Sequence, residues 1–91
     1  MDVDKDYFKY GEFVMKKFLV ISYYDGNIEV DNVCDTYQEA KEFMIFDVLA
    51  FIEPLTMEEL DEDKCWISDY SAFANVFVDM PCDWVIKEIE V

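Results

Sequence analysis

The stretch TYQEAKEFMIFDVLAFI, residues 36–52, decides the fold, because no other part of the chain is long and periodic enough to predict a helix. Thr36 is followed three residues later by Glu39, which is the capping-box spacing of a helix start. At about 100° per residue, one broad side of this helix is apolar. That side consists of Tyr37, Ala40, Phe43, Met44, Val48 and Phe51. We expect it to pack on a β-sheet.

The second half of the helix is apolar on its other side as well. The residues there are Ile45, Phe46, Leu49 and Ile52. Exposed apolar patches of this kind usually mark an interface. Either a later segment of the chain or a second copy of the protein covers these four side chains, so a homodimer is one of two explanations.

Asp47 is the unusual residue of the helix, because it lies on the side that faces the predicted sheet. A carboxylate in such a place can be a functional acid with a raised pKa. The more common explanation is a position at the rim, where the carboxylate reaches water or accepts hydrogen bonds. We favour this structural role.

A β-hairpin is predicted before the helix. Residues 13–24 are rich in Phe, Val, Ile and Tyr, and they run into Asp25-Gly26, a dipeptide that supplies the positive φ angles of a two-residue turn. Residues 27–33 return as a second strand in which apolar and acidic residues alternate. That alternation is typical of a sheet with one buried face and one wet face.

Further strands are predicted after the helix. Residues 65–69 indicate a third strand, residues 71–75 a break, and residues 76–78 a short extended piece. Residues 80–83 form a predicted turn, and residues 84–91 close the chain as a final strand. The fold class is therefore α+β, with an antiparallel sheet of about four strands in ββαββ order and one main helix packed on one face.

The length and composition favour one domain. Ninety-one residues suit a single core, so we predict one acidic α+β domain over residues 1–91, with residues 1–12 as a possible N-terminal arm. The formal net charge is -15, which would favour disorder in a polar chain, but 54% of the residues are apolar and the chain is expected to fold. This charge disfavours binding to nucleic acid or to an anionic membrane, so a charged partner should be basic.

Most catalytic machinery is missing from the sequence. The chain has no histidine and no arginine, which removes the usual general base and the usual phosphate-binding side chain. The three serines therefore have no histidine to activate them, and the two glycines cannot form a phosphate-binding loop. We predict that the protein is not an enzyme and uses no cofactor.

Three cysteines, Cys34, Cys65 and Cys82, lack the paired spacing of a zinc site. We expect free, buried thiols in a reducing cytosol. The sequence shows no basic, apolar leader and no run of about 18 apolar residues, so we predict a cytoplasmic protein without a membrane span.

The strongest charge feature follows the helix. Pro54 ends the periodic run, and Thr56 with Glu59 repeats the capping-box spacing, so a short helix is predicted over residues 57–62 with Met57 and Leu60 as its anchors. We define the acidic segment as Glu53, Glu58, Glu59, Asp61, Glu62 and Asp63, and we expect it to bind a basic partner together with Asp69. The spacing does not match a calcium loop, so no metal site is predicted.

Several stretches resemble the small acidic proteins that phages and mobile elements encode, anti-CRISPR inhibitors among them. These stretches are MKKFLVI at residues 15–21, the Asp25-Gly26 hairpin, the helix pattern EA…FM..D at residues 39–47 and DWVIKEIEV at residues 83–91. Some such proteins imitate nucleic acid or block basic grooves. The resemblance implies an inhibitor or regulator of a basic nucleic-acid-binding protein, for example a CRISPR nuclease complex. The alternative is a small assembly protein that self-associates through Ile45, Phe46, Leu49 and Ile52.

Overall fold

The computed structural model describes residues 15–76 and 80–91, and the predicted arm at residues 1–12 lies outside these ranges. One antiparallel sheet and one α-helix form the fold, which confirms the α+β class. In chain order the elements are β1 (Lys16–Tyr24), β2 (Asn27–Cys34), α1 (Tyr37–Ile52), a 3-10 turn (Met57–Glu59), β3 (Cys65–Ile67), β4 (Ser71–Ala74) and β5 (Cys82–Glu90). The spatial order of the strands is β2-β1-β5-β4-β3. The sheet therefore has five strands where about four were predicted.

The predicted hairpin is present between β1 and β2. Asp25 and Gly26 both have positive φ angles, 53° and 81°, as the turn requires. The register shifts between Val20 and Ile21, since Val20 pairs with Asn32 and Ile21 pairs with Val30. This irregularity is a β-bulge, and it brings the last residue of β2 back onto the helix side of the sheet.

The additional strand is β4, which occupies the predicted break at residues 71–75. Ala72 and Ala74 are 1% and 0% exposed and belong to the core that the helix covers. Alanine and serine are weak strand formers, so propensity gave no signal there, and packing under the helix decides the outcome. The final strand begins at Cys82 and not at residue 84, while part of the predicted piece at residues 76–78 lies outside the described residues.

The helix begins as predicted. Thr36 is the N-cap, and its Oγ1 accepts a hydrogen bond of 3.1 Å from the backbone N–H of Glu39. The Glu39 carboxylate accepts a hydrogen bond of 3.2 Å from the N–H of Asp35, the residue before the cap, and not from the N–H of Thr36 as a capping box requires. Ala40, Met44 and Val48 are fully buried against the sheet, which confirms the predicted packing side.

Two predictions about single helix residues are now decided. Ile52 was a candidate for self-association, which is wrong, because the chain itself buries it: it is 0% exposed and belongs to the core. Asp47 has the structural role that we favoured, because Nε1 of Trp84 donates a hydrogen bond of 2.9 Å to its Oδ2. Trp84 is only 2% exposed, so this carboxylate satisfies a buried donor.

The sheet has two different faces. Along β5, Cys82, Trp84 and Ile86 are buried under the helix, while the intervening side chains point to the other face and are exposed. Among residues 15–76 and 80–91, no helix lies on that second face. We call it the open face.

Candidate functional site

The acidic segment is attached to the core through its apolar residues. Met57 and Leu60 both pack against the buried cluster, as predicted. The predicted short helix is only one 3-10 turn, closed by a hydrogen bond of 3.0 Å from the N–H of Glu59 to the carbonyl oxygen of Thr56. The Thr56 hydroxyl donates to the Glu59 carboxylate and caps no backbone group, so the second capping box does not form.

The second half of the acidic segment is fixed by backbone hydrogen bonds. The N–H groups of Lys64 and Cys65 both donate to the carbonyl oxygen of Asp61, at 2.9 and 3.1 Å. The carbonyl oxygen of Lys64 in turn accepts a bond of 2.7 Å from the N–H of Asn75, which follows β4. The turn that carries the carboxylates is therefore tied to the edge of the sheet.

The carboxylates of the acidic segment are exposed and weakly compensated. All six residues of the segment are exposed, and within residues 15–76 and 80–91 none of them takes part in an ion pair. Lys64 is the only cation inside this part of the chain. Six uncompensated negative charges on one short, anchored stretch create a strongly negative surface.

Asp69 lies at the other end of the helix from Glu53. Its backbone oxygen accepts a hydrogen bond from the hydroxyl of Tyr37, in the first turn of α1, whereas Glu53 follows the last turn. The sixteen residues of α1 separate these two ends by about 24 Å. Asp69 also has a cation nearby, because Lys41 Nζ lies 3.8 Å from its Oδ1. Asp69 and Glu53, which were predicted to act together, therefore lie at opposite ends of α1.

Glu53 lies at the C-terminal end of α1, where a negative charge is unfavourable for the helix. It is the C-cap of α1, and the last turn contains no basic residue. The carboxylate therefore adds negative charge to the negative end of the helix dipole. The Glu53 carboxylate therefore adds to the negative surface and lowers the stability of the helix.

The self-association patch predicted on the helix is small. Phe46 is 71% exposed and Leu49 42%, whereas Ile45 is half-buried and Ile52 lies in the core. Leu49 borders a shallow depression with the residues from Glu53 to Thr56. Two exposed apolar side chains remain of the four that were predicted.

The open face is a larger apolar surface, and it corrects a prediction. The apolar positions of residues 27–33 were expected on the buried face under the helix, which is wrong, because Ile28 and Val30 lie exposed on the other face. Its apolar residues are Leu19, Ile21 and Tyr23 in β1, Ile28, Val30 and Val33 in β2, Trp66 in β3, Phe73 in β4, and Val85 and Ile89 in β5. The most exposed are Ile28 at 72% and Val30 and Val33 at 55%. The rings of Trp66 and Phe73 stack on this face with centroids 6.2 Å apart.

One signal for the open face was present in the sequence. Residues 18–21 of β1, FLVI, are apolar without alternation, which is typical of a strand that is covered on both faces. The pairing partners of Ile21 on either side are Val30 and Val85, so apolar side chains meet across three strands. The apolar row therefore continues across the middle of the open face.

The cysteines offer no reactive site. All three are free and buried. Burial raises the pKa of each thiol, and for Cys82 burial, followed by the charges of Asp47, Asp31 and Asp83, raises the pKa to about 12. Thiols of this kind are poor nucleophiles at neutral pH, because the thiolate is the reactive form.

The described residues contain neither a metal-binding cluster nor a membrane-spanning helix. Within residues 15–76 and 80–91, no three or more cysteine or acidic side chains are grouped as a metal ion requires. The one α-helix of that part of the chain is too short to cross a membrane.

Comparison with known proteins gave no match: no family model fits the chain, and neither the curated sequences nor the solved structures contain a significantly similar protein.

Proposed function

We propose that this chain is a non-catalytic binding protein whose acidic segment occupies a basic surface on a nucleic-acid-handling protein. The observation that carries this proposal is the set of six exposed carboxylates on a backbone fixed to the core, none of them in an ion pair within the described residues. The sequence resembles small phage-encoded inhibitors, and this resemblance suggests a CRISPR nuclease complex as one example of such a partner.

Electrostatics supports a basic partner. Complementary charge across an interface accelerates association and selects against partners of like charge. A chain with a net charge of -15 is steered toward positive surfaces as a whole, and the acidic segment is where its negative charge is densest. Nucleic-acid-handling proteins present positive grooves of the required sign.

The fixed backbone of the acidic segment also favours binding. Ordering a flexible loop on association costs free energy, and a loop that is already ordered avoids that cost. Here the packing of Met57 and Leu60 and the bonds to the Asp61 carbonyl oxygen hold the loop before any partner arrives. The six carboxylates can therefore act as a fixed row of negative charges, as phosphates do along a nucleic acid.

The lack of catalytic groups supports a binding role. The sequence contains neither histidine nor arginine, and the three thiols are buried with raised pKa values. The carboxylates of the acidic segment are open to solvent.

Two charge-matched variants test the proposal. The first neutralises five residues of the acidic segment, by E58Q, E59Q, D61N, E62Q and D63N. The control neutralises five exposed carboxylates elsewhere, by D25N, E29Q, E42Q, E88Q and E90Q. Both variants lose five negative charges, so any difference between them reports position and not net charge.

The wild-type protein and both variants are tagged and used to capture partners from a lysate of the source cell, with washes of increasing salt and identification by mass spectrometry. We expect the wild type and the control to retain a basic nucleic-acid-handling protein that moderate salt releases and that added duplex DNA or RNA displaces. We expect the acidic-segment variant to lose it. Equal capture by all three proteins, or equal loss in both variants, would overturn the proposal.

A further inference from the structure

We infer that the open face is the interface of a symmetric homodimer, in which two sheets pack face to face. This surface is separate from the acidic segment and does not depend on the function proposed for it. The inference rests on the composition, charge pattern and size of the open face.

The open face differs in charge from the rest of the molecule. Among its paired strand positions the only charged side chains are Lys17, Lys87 and Asp83, whereas the whole chain carries 22 acidic and 7 basic residues. Two copies with a net charge of -15 repel each other over most of their surface. Lys17 forms an ion pair with Asp35, so the remaining charges on the open face, Asp83 and Lys87, balance each other, and two copies can approach there without concentrating negative charge.

The order of residues along β5 matches a two-fold axis. Asp83, Val85 and Lys87 occupy consecutive outward positions, and both charged side chains are exposed. In the part of the chain that the structure describes, neither has an ion-pair partner. Consider a two-fold axis that runs above Val85, parallel to the sheet and perpendicular to β5, midway between the two packed sheets. It reverses the direction of β5 in the second copy. It places Asp83 of each copy opposite Lys87 of the other.

The same axis pairs apolar rows on the neighbouring strands. The row through Val85 continues into Ile21 and Val30 and meets its own counterpart across the axis. The row of Tyr23 and Ile28 meets the row that contains Leu19 and Val33. Sheets that pack in this way lie about 10 Å apart, with interdigitating side chains. An isologous interface requires this self-complementarity.

The size of the open face fits a dimer. Five strands at about 4.8 Å spacing span about 24 Å, and the nine residues of β1 and of β5 extend about 30 Å. Because β3 and β4 are short, the projected area is on the order of 500 Å². The accessible surface of side chains exceeds this projection, so the face is comparable with the roughly 800 Å² that each partner buries in a standard interface.

Charge reversal across the axis tests the inference. In the variant Asp83→Lys, the new lysine faces Lys87 of the other copy at both symmetric contacts. In the variant Lys87→Glu, the new glutamate faces Asp83 of the other copy at both contacts. Sedimentation velocity over a range of concentrations should show a monomer–dimer equilibrium for the wild type. Each single variant should raise the dissociation constant about tenfold or more, because two attractions become two repulsions.

Rescue makes the test specific for this arrangement. In an equimolar mixture of Asp83→Lys and Lys87→Glu, both symmetric contacts are again opposite in sign, so the mixture should form heterodimers. The double variant D83K/K87E should dimerise like the wild type. All three variants change exposed side chains, and circular dichroism melts check that they remain folded.

Phe46→Glu is the matched control, because it adds charge to the other exposed apolar patch, on the helix. It should leave the dimer unchanged. A wild-type protein that stays monomeric at all concentrations overturns the inference and leaves the residues before Met15, or a different protein, as the cover of the open face. Loss of the dimer in Phe46→Glu, or failure of the mixture and the double variant to associate, also overturns it. None of these results touches the residues on which the proposed function depends.

Discussion

The two faces of the sheet are built from the same strands and differ in what covers them. On the helix side of β5, Cys82, Trp84 and Ile86 are at most 4% exposed, while Val85 between them is 41% exposed. Both faces are largely apolar. Alternation along a strand therefore assigns each residue to a face of the sheet. It does not show whether one face or both faces are covered by another part of the protein.

Geometry explains why the helix side is closed. One helix is about 10 Å wide, whereas five strands span about 24 Å. Aromatic rings extend the cover beyond the helix: Tyr24 and Phe51 lie 5.6 Å apart, and Phe51 and Trp84 5.5 Å apart, both edge to face. At the N-terminal end of the helix, the rings of Phe18 and Tyr37 also lie edge to face, with centroids 6.4 Å apart. In the part of the chain that the structure describes, the α-helix and these aromatic rings all lie on one face of the sheet.

A matched pair of isoleucines should separate the two faces most strongly. Ile86, on the helix side, is 4% exposed, and Ile28, on the open face, is 72% exposed. Ile86→Ala should lower the free energy of unfolding by about 2–5 kcal/mol, because it leaves a cavity in the core. Ile28→Ala should change it by less than about 0.5 kcal/mol in dilute, monomeric protein. Urea denaturation measures both, and similar losses would contradict the contrast between the faces.

The polar contact on the helix side should have the next largest effect. Asp47→Leu leaves the buried Nε1 of Trp84 without an acceptor, which should cost about 1–3 kcal/mol. Asp47→Asn keeps an oxygen in the same place and should cost clearly less. The comparison uses urea denaturation followed by tryptophan fluorescence. An equal loss in the two variants would show that the hydrogen bond contributes nothing.

Local patterns made part of the fold predictable. The Thr36 cap, the Asp25-Gly26 turn and the helix side that packs on the sheet follow from short-range chemistry, and all three are present. Ala72 and Ala74 gave no strand signal, because their pairing depends on a helix distant in the sequence. Ile52 was misassigned because the apolar residues surround the end of the helix, so periodicity alone does not select the buried side.

The acidic segment and the open face also differ in how far the sequence predicts them. The acidic segment is visible as a run of charges, so the sequence located it, although it could not show that Asp69 lies at the other end of the helix. The open face depends on which residues meet across β1, β2 and β5, including the register shift beside Val20. Pairing of this kind is a property of the folded sheet, so the apolar run in β1 was its only signal in the sequence.

The buried thiol on the helix side predicts a pH dependence. The folded state raises the pKa of Cys82 from 9.0 to about 12, so between these values the unfolded thiol loses its proton while the folded one keeps it. Stability from this group is full below pH 9 and is lost as the pH rises toward 12. The free energy of unfolding of Cys82→Ala should therefore fall less steeply over this range than that of the wild type. Parallel slopes would contradict the shift.

The smallest expected effect concerns the acidic segment. Glu53→Gln removes a negative charge from the negative end of α1 and should raise the free energy of unfolding by about 0.3–1 kcal/mol. Glu29→Gln removes the same charge from the exposed strand β2 and serves as the control for net charge. Thermal and urea denaturation compare them. If Glu53→Gln raises the free energy of unfolding no more than Glu29→Gln does, the Glu53 carboxylate does not destabilise the helix.

Sedimentation velocity of the wild-type protein at one concentration, over a series of salt concentrations, tests most directly that the open face binds a second copy. Salt screens the repulsion between two chains of net charge -15, while apolar contacts persist. We predict that the fraction of dimer rises with salt, opposite to the complex between the acidic segment and a basic partner. A monomer at every salt concentration, or a dimer that dissociates as salt is added, would contradict this account.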